Sequence, residues 1–169
     1  MKNKFEIIYG KVFIQLSQGQ VSVISLEDFN RANELRGSWY ARYHKSTKSY
    51  YAVGKIKQKT VLLHRWIMNI TDKNIYVDHF HHDTLNNTRD NLRPCSYQGN
   101  TANSRHQSNR SSKYKGVTWD KSRQKWGSKI GVNSKTINIG RFKNELDAAV
   151  AYNKAAVLHF GDFALLNAV

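Results

Sequence analysis

The sequence predicts an α+β fold, built from small antiparallel sheets and a few helices. Two observations lead to this class: short runs of alternating apolar residues recur along the chain, and each run is bounded by a polar or glycine-containing turn. The chain has 169 residues, of which 40% are hydrophobic. This content is low for one compact domain but sufficient for two small cores.

Residues 1–70 predict a β-rich region with one or two helices. Apolar alternation over 12–16 indicates a strand, and Trp39–Tyr43 and Tyr50–Val53 flank a Lys/Ser turn as in an aromatic hairpin. Asp28–Arg36 has the pattern of a short helix.

A strand–loop–strand–helix arrangement is predicted over residues 71–105. Ile75–His79 has the pattern of a strand, Leu92-Arg93-Pro94 that of its partner, and the loop between them is mostly polar. Ser96–Arg105 follows as a short helix, with Ser96 placed to cap its first turn. We expect the polar residues of this segment to surround a single site.

Three strands followed by one alanine-rich helix are predicted in the C-terminal part of the chain. The strands span Tyr114–Trp119, Lys125–Val132 and Thr136–Arg141. The helix begins at Asn144 and ends at Gly161, and its first turn carries acidic residues that interact favourably with the helix dipole. Its predicted apolar face consists of Leu146, Ala149, Val150, Ala156, Val157 and Phe160.

The net charge of +15 and the pI near 10 predict a polyanionic partner, most commonly nucleic acid. The charge is concentrated, because residues 101–143 contain eleven Lys or Arg and one Asp. Within this stretch, 106–113 is polar and basic, as expected of a linker that lies on nucleic acid. On charge alone, a basic protein without a nucleic-acid role is the alternative.

Composition disfavours several other classes of protein. The single cysteine, Cys95, excludes an internal disulfide and a cysteine-rich zinc ribbon. No apolar run approaches the ~20 residues that span a bilayer, so we expect no membrane partner. The first residues lack the apolar core of a secretion signal, and we therefore expect a cytoplasmic protein.

The candidate site consists of Asp78, His79, Asn91 and Asn100. A carboxylate is a hard-oxygen metal ligand, histidine is a general base near neutral pH, and asparagine offers an amide oxygen as a ligand or positioning group. One divalent metal and one base on a strongly basic chain indicate hydrolysis of a phosphodiester. The alternative is that Asp78 and His79 only satisfy a turn.

The same segment resembles the HNH nucleases, in particular the phage and intron-encoded homing endonucleases. The residues that carry the resemblance are Val77-Asp78-His79, Thr84-Leu85-Asn86-Asn87, Asn91-Leu92-Arg93 and Asn100, with Leu63-His64-Arg65 before them. The resemblance implies a ββα-metal fold that cuts DNA with one divalent ion. An amide ligand suits Mg²⁺, or alternatively Mn²⁺, better than Zn²⁺.

The resemblance also implies roles for individual residues. Asp78 would bind the metal, and His79 would activate the attacking water. Asn91 would hold the loop so that His79 keeps its orientation, Asn100 stands at the position of a further metal ligand, and Arg93 would contact phosphate. We expect His64 to pack under the site, and His81 and His82 to lie at the surface or to contact DNA.

The C-terminal part resembles the plant ethylene-response-factor (Apetala-type) DNA-binding domain. The matching residues are Tyr114-Lys115-Gly116-Val117, Lys125-Trp126, Ile139-Gly140-Arg141-Phe142 and Ala148-Ala149-Val150-Ala151-Tyr152. This resemblance implies a three-stranded sheet that enters the major groove. Trp126 lies in mid-strand before a glycine, and we expect it to pack in the core against the helix. The predicted DNA-binding residues are Lys113, Lys115, Trp119, Lys121, Arg123, Lys125, Lys129 and Arg141.

Together these observations predict four segments: a β-rich region over 1–60 that contacts DNA or supports the site, a nuclease module over 61–105, a basic linker over 106–113, and a DNA-binding domain over 114–169. The predicted function is that of a monomeric, site-specific homing endonuclease, which nicks one strand of double-stranded DNA per binding event. We expect it to act in a bacterial or phage-infected cell, in association with the nucleoid. The alternatives are a DNA-binding transcriptional regulator that keeps a decayed nuclease fold, and a non-specific or RNA-directed nuclease.

Overall fold

The computed structural model of the protein describes residues 1–104 and 111–169 and confirms the α+β class. The chain divides into two compact units, Met1–Cys95 and Ser96–Val169. The predicted linker over 106–113 lies for the most part outside the described residues, and the four predicted segment boundaries stay predictions. Among the described residues, no helix is long and apolar enough to cross a membrane.

The first unit contains nine strands and two short helices among its described elements. In chain order they are β1 Phe5–Ile8, β2 Lys11–Gln15, β3 Val21–Ser25, α1 Phe29–Asn33, β4 Tyr40–His44, β5 Ser49–Ile56, β6 Lys59–Leu62, α2 Leu63–Ile67, β7 Tyr76–His79, β8 Asn86–Asn87 and β9 Leu92–Cys95. They form sheets with the orders β1-β2-β3-β8, β4-β5-β6 and β7-β9. All pairs are antiparallel except β3 with β8, which is parallel.

The predicted aromatic hairpin is confirmed as β4–β5, and the predicted pairing around the site is confirmed as β7–β9. The predicted helix over Asp28–Arg36 is shorter than expected, because only Phe29–Asn33 is α-helical after a 3₁₀ turn.

The core of the first unit gathers alternate apolar residues from its sheets and helices. Val12, Ile14 and Ile24 are fully buried together with Trp39. A glycine is required at position 54, because a Cβ there would come within 2.8 Å of the Trp39 ring. The apolar residues that alternate along β2 and β3 thus form the buried face of the first sheet.

The second unit contains a short helix, a three-stranded antiparallel sheet and a long helix. Its elements are α3 Tyr97–Ala102, β10 Val117–Asp120, β11 Lys125–Val132, β12 Lys135–Phe142 and α4 Glu145–Phe160. The Ser96 hydroxyl accepts a hydrogen bond from the Gly99 amide, which confirms Ser96 as the cap of α3. The helix ends at Ala102 rather than at the predicted Arg105, which lies outside the described residues. Gly161 ends α4 with a φ of 52°, as predicted.

The buried face of α4 differs from the predicted one. Alanines and Tyr152 line it, whereas Leu146, Val150 and Val157 are 49%, 36% and 53% exposed. The core under the helix is already filled by aromatic side chains such as Trp126, so small residues face the sheet and the larger aliphatic ones face outward.

A bidentate ion pair joins the loop before β9 to Asp28, the residue before α1. We expect its loss to lower the free energy of unfolding. Arg89 donates to both oxygens of the buried Asp28 carboxylate, at 2.8 and 2.6 Å. Replacing Arg89 by Gln leaves this carboxylate without its cation and should lower the free energy of unfolding by about 2 kcal/mol, since the arginine itself is partly exposed. Urea denaturation measures the effect.

The matched control is Arg36→Gln. Arg36 is exposed in the loop after α1 and has no ion pair or side-chain hydrogen bond to any residue in the described ranges. Its replacement should change the free energy of unfolding by less than about 0.5 kcal/mol. Equal denaturation midpoints for the two variants would contradict the role of the ion pair.

Candidate active site

Asp78 and His79 are the last two residues of β7, and the antiparallel ladder fixes their neighbours. Asp78 lies opposite Arg93 and His79 opposite Leu92. Both side chains are largely buried, with 7% of Asp78 and 6% of His79 exposed. The strand thus places a carboxylate and an imidazole in successive positions of one well-packed element.

The orientation of the His79 ring is set by Asn87 on β8. His79 Nε2 lies 3.0 Å from Asn87 Oδ1. The amide cannot be turned around, because its Nδ2 donates to the Leu85 carbonyl oxygen, which can only accept, and to Ser22 Oγ, at 3.2 and 2.8 Å. His79 Nε2 must therefore donate its proton to Asn87, and Nδ1 carries the lone pair of the neutral ring.

Burial keeps His79 in this neutral form. The low-dielectric surroundings lower its pKa below the usual 6.5, and the hydrogen bond to Asn87 and the charges of Asp78 and Asp83 oppose this only in part. At neutral pH the ring is therefore unprotonated at one nitrogen, which is the state that a general base requires.

Asn91 holds the loop between the strands, while the contact with the imidazole belongs to Asn87. Asn91 Oδ1 accepts from the His81 amide at 2.8 Å, and its Nδ2 donates to the Asn86 carbonyl at 2.7 Å. The predicted effect of Asn91 on His79 is thus indirect, through the loop. Asn87 was missed from the sequence, although it belongs to the Thr84-Leu85-Asn86-Asn87 motif.

Arg93 forms an ion pair with Asp78. Its Nε and Nη2 lie 2.9 and 2.8 Å from the same carboxylate oxygen, Oδ2. The guanidinium also stacks on the Phe80 ring, 4.6 Å from its centroid. The cross-strand register imposes this pair, so the predicted phosphate contact of Arg93 would have to compete with an ion pair.

Aromatic rings from β5 and α2 pack around His79. His64 packs edge-on against His79 with ring centroids 4.9 Å apart, and Tyr51 borders both rings at 6.0 and 6.1 Å. Burial, with smaller contributions from His79 and Arg65, lowers the pKa of His64 to about 3. His64 is therefore a neutral packing residue under the site, as the sequence interpretation expected.

Asp78 is the carboxylate of this site that the sequence predicts as a metal ligand. Among the residues in the described ranges, no three His, Cys, Asp or Glu side chains cluster as a metal site. A zinc centre needs three or four such ligands, whereas Mg²⁺ keeps several waters and uses one or two carboxylates. Asp78 fits this second mode, since ligating carboxylates are commonly held by a hydrogen bond from a neighbour such as Arg93. Asn100 lies on α3 in the second unit and is half-buried.

The predicted DNA-binding residues of the second unit fall into different environments. Lys125 and Lys129 are exposed on alternate positions of β11, and Arg141 lies opposite Gly127 on the same face of the sheet. Lys121 is exposed in the turn after β10, and Lys113 is exposed with its ammonium 5.0 Å from the centre of the Tyr114 ring.

Asp120 offsets part of the positive charge of this sheet. It pairs with Arg123 at 3.2 Å and with Arg141 at 3.6 Å. Hydrogen bonds from Ser122 and Arg123 lower the pKa of Asp120 to about 2, so the carboxylate is charged at neutral pH. Trp119 is half-buried and packs on Trp126 at 5.0 Å between ring centroids.

The Lys115 ammonium binds carbonyl oxygens at the C-terminal end of α3. Its ammonium donates to the carbonyl oxygens of Ala102 and Ser104, at 2.5 and 2.8 Å, where the end of α3 leaves them without intrahelical partners. Burial lowers the pKa of Lys115 to about 8. Its environment thus differs from that of the exposed lysines on the sheet.

Comparison with known proteins identifies a viral relative of the chain. No protein-family model matches the sequence. A protein of Acanthamoeba polyphaga mimivirus, named as an uncharacterized HNH endonuclease, is 31% identical over 173 residues, which cover 98% of this chain and 86% of that protein. The match therefore includes the site on β7 and both units.

Acid should destabilise the protein through His64. The folded-state pKa is about 3, against 6.5 for an unperturbed histidine, so the unfolded chain binds more protons between these two pH values. Stability is therefore fully present above pH 6.5 and falls as the pH is lowered towards 3. His64→Phe removes this titration, so the free energy of unfolding should fall by a few kcal/mol less between pH 6.5 and pH 3. Urea denaturation at a series of pH values measures the difference.

His81→Phe is the control, because His81 is exposed in the neighbouring loop. Its free energy of unfolding should depend on pH in the same way as that of the unmodified protein. Parallel stability curves for His64→Phe and the unmodified protein would refute the assignment of His64 as a buried neutral ring.

Proposed function

Because the chain belongs to the HNH endonuclease family, we propose that it is a site-specific DNA endonuclease of the homing type, which hydrolyses phosphodiester bonds with a divalent metal ion. The observation that carries this proposal is the oriented His79 imidazole next to the Asp78 carboxylate at the end of β7. The mimivirus relative is named as an HNH endonuclease, which supports the same activity.

His79 would act as the general base. With Nε2 committed to Asn87, Nδ1 is the basic nitrogen of the neutral ring, and it would take a proton from the attacking water. The buried hydrogen bonds of Asn87 hold the ring at one tautomer before substrate arrives, so no reorientation is needed in the reaction. Asn91 would support this arrangement by holding the loop.

Asp78 would hold the metal ion, Mg²⁺ or alternatively Mn²⁺, with Asn100 as the further ligand that the family resemblance implies. When bound, such an ion stabilises negative charge on the phosphate and on the leaving oxygen. Arg93 would orient the Asp78 carboxylate through Oδ2. A phosphate contact by Arg93 would be secondary to this ion pair.

We further propose that each chain nicks one strand per binding event as a monomer, because the chain carries a single pairing of Asp78 with His79. Its partner would be double-stranded DNA in the cytoplasm of a bacterium or phage-infected cell, in association with the nucleoid. The second unit, which resembles the ethylene-response-factor domain, would be the DNA-binding module and would use the exposed face of its sheet. Lys125, Lys129 and Arg141 would make its phosphate contacts, with Lys113, Lys121 and Arg123 at its borders.

The ion pair between Arg93 and Asp78 favours one alternative function, a DNA-binding regulator with a decayed nuclease site. A carboxylate that is neutralised by arginine attracts a cation less strongly than a free one. The nuclease is preferred because the chain keeps the Asp78 carboxylate beside an imidazole that Asn87 orients, which are the groups that hydrolysis requires.

Replacement of His79 by Ala tests the catalytic proposal. Cleavage of supercoiled plasmid with an inserted candidate site should fall at least about 100-fold in Mg²⁺, because a general base contributes that much or more. DNA affinity should stay within twofold. EDTA should abolish cleavage by the unmodified protein, and the acid limb of its pH–rate profile should have a midpoint below 6.5 because burial lowers the pKa of His79.

His81→Ala, in the same loop, is the matched control and should cleave at the unmodified rate. Open circles as the product would support nicking, and linear product would contradict it. Tight binding without cleavage by the unmodified protein would favour the regulator instead.

Two lysines of the second unit should respond differently to replacement by Ala. Lys129 is exposed on the sheet, so its loss should weaken DNA binding and make the slope of log K against log salt shallower by about 0.9. Lys115 donates to the end of α3, so its loss should lower the melting temperature and leave the salt slope unchanged. Fluorescence anisotropy over a salt series measures the slopes, and equal slopes for the two variants would contradict this assignment.

A further inference from the structure

The sheet β4-β5-β6 and helix α2 carry positive charge without any acidic residue. From Trp39 to Thr71 the sequence contains seven Lys or Arg and no Asp or Glu. None of the seven takes part in a salt bridge found within the described residues. The first unit thus has its own uncompensated basic surface, separate from the stretch 101–143 that dominates the charge of the sequence.

The β4–β5 hairpin brings part of this charge to the candidate active site. Arg42 lies directly opposite Tyr51 in the ladder, so the two side chains project from the same face of the sheet. The Tyr51 ring in turn borders His79, 6.1 Å away between ring centroids. The hydroxyl of Thr84, in the site loop, donates to the Tyr50 carbonyl at 2.6 Å. The β4–β5 hairpin is therefore held to His79 by ring packing and to the loop between β7 and β8 by a hydrogen bond.

The exposed end of the hairpin alternates cations with aromatic rings. Arg42, Lys45 and Lys48 are exposed, and Tyr43 is 48% exposed with its ring against Tyr50. The Arg42 guanidinium donates to the Tyr40 hydroxyl at 3.2 Å, which leaves most of its five N–H groups for an external acceptor. Arginine is the side chain best shaped to bind a phosphate with two parallel hydrogen bonds.

We propose that the β4–β5 hairpin is a second DNA-binding surface, which holds the phosphate backbone of the strand that reaches His79, with Arg42 as its central contact. This inference rests on the proposed nuclease function, and it assigns to the N-terminal region a binding role of its own. It also supplies a phosphate-binding cation on the sheet face where Tyr51 borders the base, since Arg93 is engaged by Asp78. The occupant is the DNA backbone because the surface is cationic throughout and interleaved with rings on which bases or sugars pack.

The test compares Arg42→Ala with Arg36→Ala in the full-length chain. Both changes remove one exposed arginine from the first unit, but Arg36 lies before the hairpin, in the loop after α1. Binding to a short random-sequence duplex is measured over a salt series, and single-turnover cleavage is measured on supercoiled plasmid in Mg²⁺. Arg42→Lys is included because it keeps the charge and loses the bidentate geometry.

Arg42→Ala should weaken duplex binding three- to tenfold, make the salt slope shallower by about 0.9, and slow cleavage at least tenfold at saturating DNA. Arg42→Lys should restore the salt slope and only part of the cleavage rate, and Arg36→Ala should match the unmodified protein. Melting temperatures of all variants should agree, because both arginines are exposed.

Identical binding and cleavage by the Arg42→Ala and Arg36→Ala variants would overturn the inference while leaving the nuclease intact. If the unmodified protein does not cleave DNA, the proposed function fails. The binding series still tests the hairpin in that case, since equal salt slopes for the two variants would overturn it.

Discussion

The hydrogen bond between Asn87 and His79 is the interaction on which the rest of the site depends. Asn87 is fully buried, and its position is imposed by the parallel pairing of β8 with β3, where Ile24 lies opposite it. Ser22, on the same strand β3, accepts from the Asn87 amide and donates to the Leu85 carbonyl. The ring that would perform the chemistry is therefore oriented by a sheet that begins near the start of the chain. The N-terminal region is thus a structural part of the site.

Local patterns in the sequence were sufficient for most of the secondary structure. The bounds of β11 agree with the prediction, and the aromatic hairpin and the pairing of β7 with β9 follow from alternation and turn residues within short segments. The position of Asn87 could not be predicted in this way. A strand of two residues has no periodicity to detect, and Asn87 meets Ser22 across 65 residues of sequence. Only the assembled sheet shows that Asn87, rather than Asn91, contacts the imidazole.

The predicted DNA-binding residues, which stay a prediction, occupy different environments in the structure. The predicted DNA-binding set was chosen because its members fall on or near the strands of the predicted sheet, and it included both Lys115 and Lys129. The structure separates them, because Lys115 precedes β10 and donates to the end of α3, whereas Lys129 is exposed within β11. The same limit applies to α4, where hydrophobicity predicted Leu146 and Val157 in the core. Side-chain volume decides that face, since the aromatic side chains of the core pack against alanines and Tyr152 of α4.

The boundary between the two compact units has a consequence for how such proteins diversify. It falls between Cys95 and Ser96, inside the segment that the sequence presents as one strand–loop–strand–helix arrangement. Helix α3 is built into the second unit, since its C-terminal carbonyls bind Lys115 and its Gln98 side chain accepts from the Asn133 amide. Recombination at this natural junction would therefore transfer α3, and Asn100 with it, together with the sheet. A chimera joined at this point would keep the contacts of α3 with Lys115 and Asn133, whereas a junction placed after α3 would break them.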